Sequence, residues 1–392
     1  MTSRGLLALI AAGACSVASA QSSVTLYGIV DAGYQWNKQG VNSGTAAAPN
    51  WQSDSVSGID GGYQSGNRWG LRGSEALGGG WNAVFTLESG FNIDTGTSAQ
   101  GGRLFGRQAW LGLQGDLGTL AFGRIATPSS TTGSFDMFAG ADAFDGGWGI
   151  NAIGSTFIAA NSLREDNAVI YSSPNWGGFR LAAQYSFNLD TAETAPQGTN
   201  TSAGNLSGSY AAGAFYAVVT YDVIRFADAG TAGRPGAGNP DEKLLQIGAS
   251  YDLQFVKLFA AYADQSQVSV IGGSPGSNSA LSGLPIPAGI GSYDDSAYVL
   301  GVSVPLLGGS LLASYQYSDA KNIVTSAGEQ FEPDYQVWGV GFGYPLSRRT
   351  NLYIGYGQRS WEGTVTQAGR VPVDGSAIVD RDQFALGLRH RF

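Results

Sequence analysis

The stretch Gln336-Val-Trp-Gly-Val-Gly-Phe-Gly-Tyr344 puts Gln336, Trp338, Val340, Phe342 and Tyr344 on one side of an extended chain and Gly339, Gly341 and Gly343 on the other. Successive side chains of a strand point to opposite faces, so this segment has one apolar face and one nearly bare one. The same alternation opens the chain, where Val24, Leu26, Val30, Ala32 and Tyr34 share a face opposite Thr25, Tyr27 and Asp31. It also closes it: Phe384, Leu386, Leu388, His390 and Phe392 alternate with Gln383, Ala385, Gly387, Arg389 and Arg391. Helical spacing is absent from all three segments.

About sixteen such segments run along the chain, most near the roughly 9–11 residues that a tilted strand needs to cross hydrocarbon. Two kinds of connection alternate between them. Residues 77–80, 115–118, 174–178, 252–255, 305–309 and 345–348 make tight turns, whereas 37–65, 129–163, 189–206, 265–293, 320–333 and 360–379 are long and rich in Gly, Ser, Asn and Thr. Short turns on one rim and long loops on the other characterise bacterial outer-membrane barrels. Tyr34, Trp36, Trp81, Phe91, Tyr185, Phe187, Tyr315, Tyr317, Trp338 and Tyr344 stand at segment ends, where girdles meet the two interfaces. A soluble β-core also uses aromatics in strands, but it gives no reason for a polar face rich in Arg and Gly. With both termini on the short-turn side the strand number is even, so 207–226 must hold two strands, with the turn around 213–217.

Composition removes other classes. The 392 residues include 60 Gly but a single Cys and a single His, only 13% are charged, and the net charge is −9. Disulfide frameworks, structural zinc and metal sites built on several His or Cys are excluded, and nucleic-acid binding is disfavoured by the acidic balance. Residues 1–20 combine a basic start at Arg4, an apolar run from Leu6 to Ala14 and the small-residue site Ala18-Ser-Ala20. That order is a signal peptide's, so the mature chain is expected to be 21–392, exported and free of Cys.

Several blocks together resemble a known family. Gln21-Ser-Ser-Val-Thr-Leu-Tyr-Gly-Ile-Val-Asp-Ala-Gly33, Asn67-Arg-Trp-Gly-Leu-Arg-Gly-Ser-Glu75, Gly106-Arg-Gln-Ala-Trp-Leu-Gly-Leu113, Leu117-Gly-Thr-Leu-Ala-Phe-Gly-Arg124 and Phe384-Ala-Leu-Gly-Leu-Arg-His-Arg-Phe392 are similar to general diffusion porins of Gram-negative outer membranes, of the β-proteobacterial type. The likeness spans the mature chain in order. It implies a 16-stranded antiparallel transmembrane β-barrel with short periplasmic turns, long extracellular loops and a third loop, 129–163, folded inward as a constriction. It also implies a homotrimer among outer-membrane lipid and lipopolysaccharide, passing ions and small solutes and needing no cofactor. The third loop lacks the Pro-Glu-Phe-Gly run of many relatives.

In such a protein the chemistry is electrostatics at the narrowest point. With Trp69 and Leu71 toward lipid, Arg68 and Arg72 face inward; with Trp110 outward, Arg107 and Arg103 face the lumen. Val169 and Tyr171 outward turn Arg164 and Asp166 inward, and Phe179 and Leu181 do the same for Arg180. The resemblance matches Arg68, Arg107 and Arg164 to the family's basic wall, and Asp136, Asp142 and Asp145 to the opposing acids of the loop. The lesser alternative is that Asp136 and Asp142 merely hydrogen-bond the loop to the wall. Arg124 shares parity with Leu120 and Phe122 and is expected outside, while Asp31 and Glu88 fall on lumen faces as wall charges. Phe392 resembles the signal read by the barrel-assembly machinery, though it could simply close the barrel. An outer-membrane hydrolase lacks a usable His, and a structural barrel or adhesin would be narrower. The expectation is a passive channel with a slight preference for anions.

Overall fold

In a computed structural model the described residues are 22–42, 51–160, 164–189, 192–193, 200–227, 241–269, 292–321, 323–324, 330–331, 334–362, 364–365, 373–374 and 380–392. The expected signal peptide lies outside them. The strands are β1 (Ser23–Asn42), β2 (Trp51–Gly61), β3 (Arg68–Gly78), β4 (Trp81–Gly90), β5 (Gln108–Gly115) and β6 (Gly118–Ala126), followed by β7 (Arg164–Ser172), β8 (Phe179–Ser186), β9 (Ser202–Ala212) and β10 (Phe215–Arg225). β11 (Glu242–Asp252), β12 (Lys257–Ser269), β13 (Ser292–Leu306), β14 (Gly309–Lys321), β15 (Asp334–Pro345), β16 (Thr350–Glu362) and β17 (Arg381–Arg391) complete the sheet. Every pairing is antiparallel; sequence neighbours pair except β2 and β3, which both pair with β1, and β1 pairs with β17 from Ile29↔Arg391 to Lys38↔Asp382, which closes the ring.

β2 and β3 are two halves of one stave. β1 is 20 residues long; its lower part pairs with β3 from Ser23↔Ser74 and its upper part with β2 from Ala32↔Gly61. Counting that pair once gives a sixteen-stranded barrel. Between the halves, residues 62–67 leave the wall and turn inward. Asp31, fully buried, accepts from Tyr353 Oη at 2.6 Å and from the Ser65 N–H at 2.7 Å, while its own N–H donates to Asn67 Oδ1 at 2.6 Å. The residue expected as a wall charge is therefore the anchor of this inward turn.

The lengths of the staves differ from the sequence expectation on the long-loop rim. β1 continues to Asn42 and pairs with β2 as far as Asn42↔Trp51, and β9 begins at Ser202, inside the expected 189–206 loop. Above the hydrocarbon a ladder needs no apolar face, so Ser-, Gly- and Asn-rich sequence there extends strands without showing the alternation. The 207–226 stretch does carry two strands, turning at Gly213 with φ of 56°.

The barrel is turned inside out relative to a soluble core. Leu26, Leu111, Phe122, Leu206, Ile247, Leu300 and Leu386 are exposed on the outer face, and the girdle residues Tyr34, Trp81, Tyr185, Tyr315, Trp338 and Tyr344 are exposed at its margins. Inside, Met137, Phe138, Ile153 and Phe157 of the third loop pack on the wall residues Ala182, Val218, Ala263, Ala297 and Val299. The loop's Phe144 and Trp148 pack with Tyr63, Phe259, Tyr353 and Ala385. The bare stripe of β15 has its reason here. A Cβ on Gly339, or on Gly357 of β16, would fall on Asn151 Oδ1, and one on Gly341 would meet the Trp148 ring. Lumen-facing glycines clear a bed for the loop. Gly357→Ala should therefore give a barrel that folds but resists heat or denaturant less, by about 1–3 kcal/mol as in an overpacked core. Denaturant unfolding followed by the gel shift between folded and unfolded barrels measures it.

Candidate functional site: the loop and the arginines of the lumen

The third loop is held by its backbone. Five glutamines from five strands point into the barrel and pair with its main chain: Gln108 accepts from Ser134 N–H at 3.0 Å, and Gln246 accepts from Ala160 N–H at 3.0 Å and donates to Ser129 C=O at 3.1 Å. Gln265 accepts from Ile158 N–H at 2.7 Å and donates to Thr156 C=O at 3.0 Å. Gln316 donates to Asn151 C=O at 2.8 Å, and Gln383 accepts from Ile150 N–H at 3.0 Å. A primary amide carries both donor and acceptor, so one side chain can serve an N–H and a C=O as a neighbouring strand would. Behind the belt, Asp295 binds Gln265 Nε2 at 2.7 Å and Ser318 Oγ at 2.7 Å, and Glu165 binds Gln184 Nε2 at 2.8 Å.

Of the three loop acids, Asp136 feels Arg180 of the expected wall, and a larger basic group surrounds Asp145. Asp145 is exposed, has φ of 50°, and feels the charges of Arg391, Arg389, Lys257 and Arg68. Asp142 is turned into the loop, where it accepts from the N–H groups of Phe144 at 3.1 Å, Gly146 at 2.9 Å and Ile153 at 3.3 Å. Burial outweighs those three donors and pushes its carboxyl up to about 6. Asp136 stands apart from Arg68 and Arg107, with Arg180 as the cation acting on it. Its carboxyl is also pushed up to about 6, by burial first and by the charge of Asp145 second.

The basic wall is partly paired. Arg107 Nε donates to Glu88 at 2.6 Å, and Glu88 also accepts from Tyr27 Oη at 3.0 Å. Arg68, on the first turn of β3, donates to Gly66 C=O at 2.9 Å and acts electrostatically on the same Glu88. Arg72, two repeats of the pleat below, lies over the Tyr27 ring at 5.1 Å. Arg164 reaches the foot of the loop at Thr132 Oγ1, 3.3 Å away, and Arg180 sits on the inward face of β8 between exposed Phe179 and Leu181. Glu88 is thus a counter-charge inside the wall.

Three expectations of facing are corrected. Trp110 is buried on the lumen side against Phe135, ring centres 5.2 Å apart, while Leu111 and Leu113 face out. Gly112 and Gln114 on the Trp110 face were the sign of that orientation. Arg107 still points inward because it precedes β5, its N–H bonded to Glu88 C=O at 3.1 Å. Asp166 does not face the lumen. The register between β6 and β7 slips between Gly123 and Ile125, and Asn167 has φ of 51°, so Glu165 turns in and Asp166 turns out. An extra residue in one strand reverses parity beyond it. Asp166 there binds Arg124 at 2.5 Å and Arg103 at 2.7 Å, which removes Arg103 from the lumen wall and leaves Arg124 outside, as parity required.

Sequence reasoning left Arg389 and Arg391 out of the site. Their signal was the outward parity of Leu386, Leu388 and His390, which turns both arginines inward. Phe392 pairs its main chain with Gly28 in both directions at 3.1 Å and lays its ring over that glycine, completing the seam.

A closed barrel with an apolar exterior, a charged interior and a loop laid inside it is a pore through an outer membrane. Residues 5–364 match the Gram-negative porin family, and the chain belongs to it. An outer membrane porin protein of Bordetella pertussis is 33% identical over 405 residues, covering 99% of each chain. Outer membrane porin protein 32 of Delftia acidovorans is 32% identical over 362 residues, 89% of this chain and 87% of that one. Among solved structures, the anion-selective porin from Comamonas acidovorans superposes with a TM-score of 0.67 at 25% identity, covering 95% of this chain and 100% of that one. The protein is a passive channel of the Gram-negative outer membrane.

Replacing Gln265 by Leu strands the Ile158 N–H, the Thr156 C=O and one oxygen of Asp295 together. At about 1–3 kcal/mol for each buried group left unpaired, the variant should lose at least about 2 kcal/mol of unfolding free energy. Its open-channel current should be noisier than the parent's, and amide exchange at Ile158 should accelerate; unchanged exchange there would count against the belt.

Proposed function

We propose that the channel prefers small anions, selected where loop residues 129–163 narrow the lumen against Arg68, Arg72, Arg107 and Arg164, with Arg180, Arg389 and Arg391 extending the basic surface. The observation that carries this reading is the imbalance of charge facing the lumen. Asp142 is consumed inside the loop, and Glu88 is held between Arg107 and Tyr27 while Arg68 acts on it as well. Asp145 is the acid left opposite several cations. A charged group in a narrow, low-dielectric passage attracts counter-ions and repels co-ions, so surplus arginine favours anions. The relative from Comamonas acidovorans is itself described as anion-selective.

Three copies side by side in the membrane, in contact with lipid and lipopolysaccharide, are the assembly the family resemblance implies. The outward cluster of Arg103, Asp166 and Arg124 lies at the loop-side ends of β6 and β7 and supports a polar neighbour there, a second copy or lipopolysaccharide. Phe392 would serve the barrel-assembly machinery before the seam closes over Gly28.

Bilayer recordings under a salt gradient test the selectivity. The reversal potential should carry the anion sign, with conductance steps grouped in threes. Arg68→Gln with Arg107→Gln should shift the chloride-to-potassium permeability ratio toward cations by about threefold or more, and Asp145→Asn should shift it the other way. An unmoved potential in the double variant defeats the wall.

The pH dependence has a definite sign. As pH falls through about 6, Asp136 and Asp142 each take up a proton, the loop loses negative charge, and anion preference rises. The folded carboxyl binds its proton more readily than the unfolded one, so the loop also gains stability over the same fall. Asp136→Asn should reduce the selectivity change and leave the part due to Asp142, read as reversal potential against pH.

A further inference from the structure

Below the loop, at the rim of the short turns, four arginines from two adjacent stretches line one cavity of about 410 Å³. Arg348 and Arg349 come from the turn between β15 and β16, and Arg389 and Arg391 from the end of β17. The main chain fixes their proximity, because the Arg391 N–H donates to Arg349 C=O at 2.8 Å. Arg389 is braced by Asn351 Oδ1 at 3.1 Å and Ser65 Oγ at 2.8 Å, and Asn351 in turn donates to Gln64 at 2.8 Å. Arg348, Arg349 and Arg391 are exposed. Among the described residues no carboxylate lies within ion-pair distance of any of the four. Asp145 is the acid that reaches into the cavity lining, against Ser303, Ser310 and Ser347 as neutral donors.

We propose that this mouth is a binding site for small oxyanions carrying two or more negative charges, centred on Arg348 and Arg349 and sharing Arg389, Arg391 and Asp145 with the basic surface opposite the loop. Guanidinium groups present planar forks of donors that match carboxylate and phosphate oxygens two at a time, which a single chloride cannot exploit. Four such groups against one acid leave a surplus that a multiply charged solute neutralises and a monovalent one does not. The cavity is far larger than inorganic phosphate, so a phosphorylated or polycarboxylated metabolite of modest size also fits. The 62–67 turn supplies Gln64 and Ser65 to its lining, and the hydrogen bond from the Ser65 N–H to the Asp31 carboxylate holds that turn in place. The site rests on the proposed anion preference only for the route by which solute arrives.

Chloride current through single channels in a bilayer, with inorganic phosphate added to the short-turn side, tests the site. Phosphate should interrupt the current from that side at lower concentration than from the loop side, and acetate at equal concentration should not. The Arg348→Gln, Arg349→Gln double variant should need about tenfold more phosphate for half-block. Its reversal potential in potassium chloride, still set by Arg68, Arg107, Arg389 and Arg391, should keep the parent's sign. Equal half-block in parent and variant, equal block by acetate, or no block of the parent by millimolar phosphate would overturn the site. A cation-signed potential with phosphate block intact would instead remove the wall reading and leave the mouth standing.

Discussion

Hydrocarbon offers no hydrogen-bond partner, so every backbone N–H and C=O at membrane depth must be satisfied by the sheet itself, and a sheet can do this only by having no edge. The seam between β1 and β17 is the pairing that meets this demand, and Phe392 bonded to Gly28 is its last rung. Once the ring is closed, each side chain has only two destinations, lipid or lumen. The apolar set takes the first, and the charged and small residues are left with the second. The polar interior is therefore as much a consequence of membrane burial as the apolar exterior is.

That division would leave a wide hole, and the loop between β6 and β7 occupies part of it. Its hydrophobic side chains supply the interior with an apolar core, Phe138 and Phe157 against β8 to β13 and Trp148 against Tyr63 and Tyr353. The polar wall groups beneath are satisfied by the loop's own peptide groups through the glutamine belt. The loop and the far wall form one solid unit, and the open lumen is displaced toward the arginines of β3 and the connection before β5.

Most of the barrel was legible because period-two alternation is a strong signal wherever one face meets lipid. It failed where that condition lapses: the β1–β2 pairing above the membrane, and the start of β9 at Ser202, read as loops from composition. The bulge near Asn167 broke parity in a way no composition reveals, and so Asp166 was assigned to the wrong side while Glu165 went unnoticed. Trp110 shows the opposite limit, since aromatic size alone suggested lipid when Gly112 and Gln114 marked its face as inward. The candidate site was legible in its arginines on regular strands, Arg68, Arg72 and Arg180. It was least legible in the loop, where Asp136, Asp142 and Asp145 look equivalent in sequence but have three different environments. Arg389 and Arg391 were readable from parity at the end of the chain.

The glutamine belt has a bearing on how such a channel changes over generations. Its contacts are to peptide groups, which every residue type except proline presents alike. Substitutions among the exposed residues of the loop can therefore accumulate without loosening its path, and charge near the lumen can be exchanged while the scaffold is inherited intact. Variation in what the pore admits is decoupled from variation in whether the protein folds.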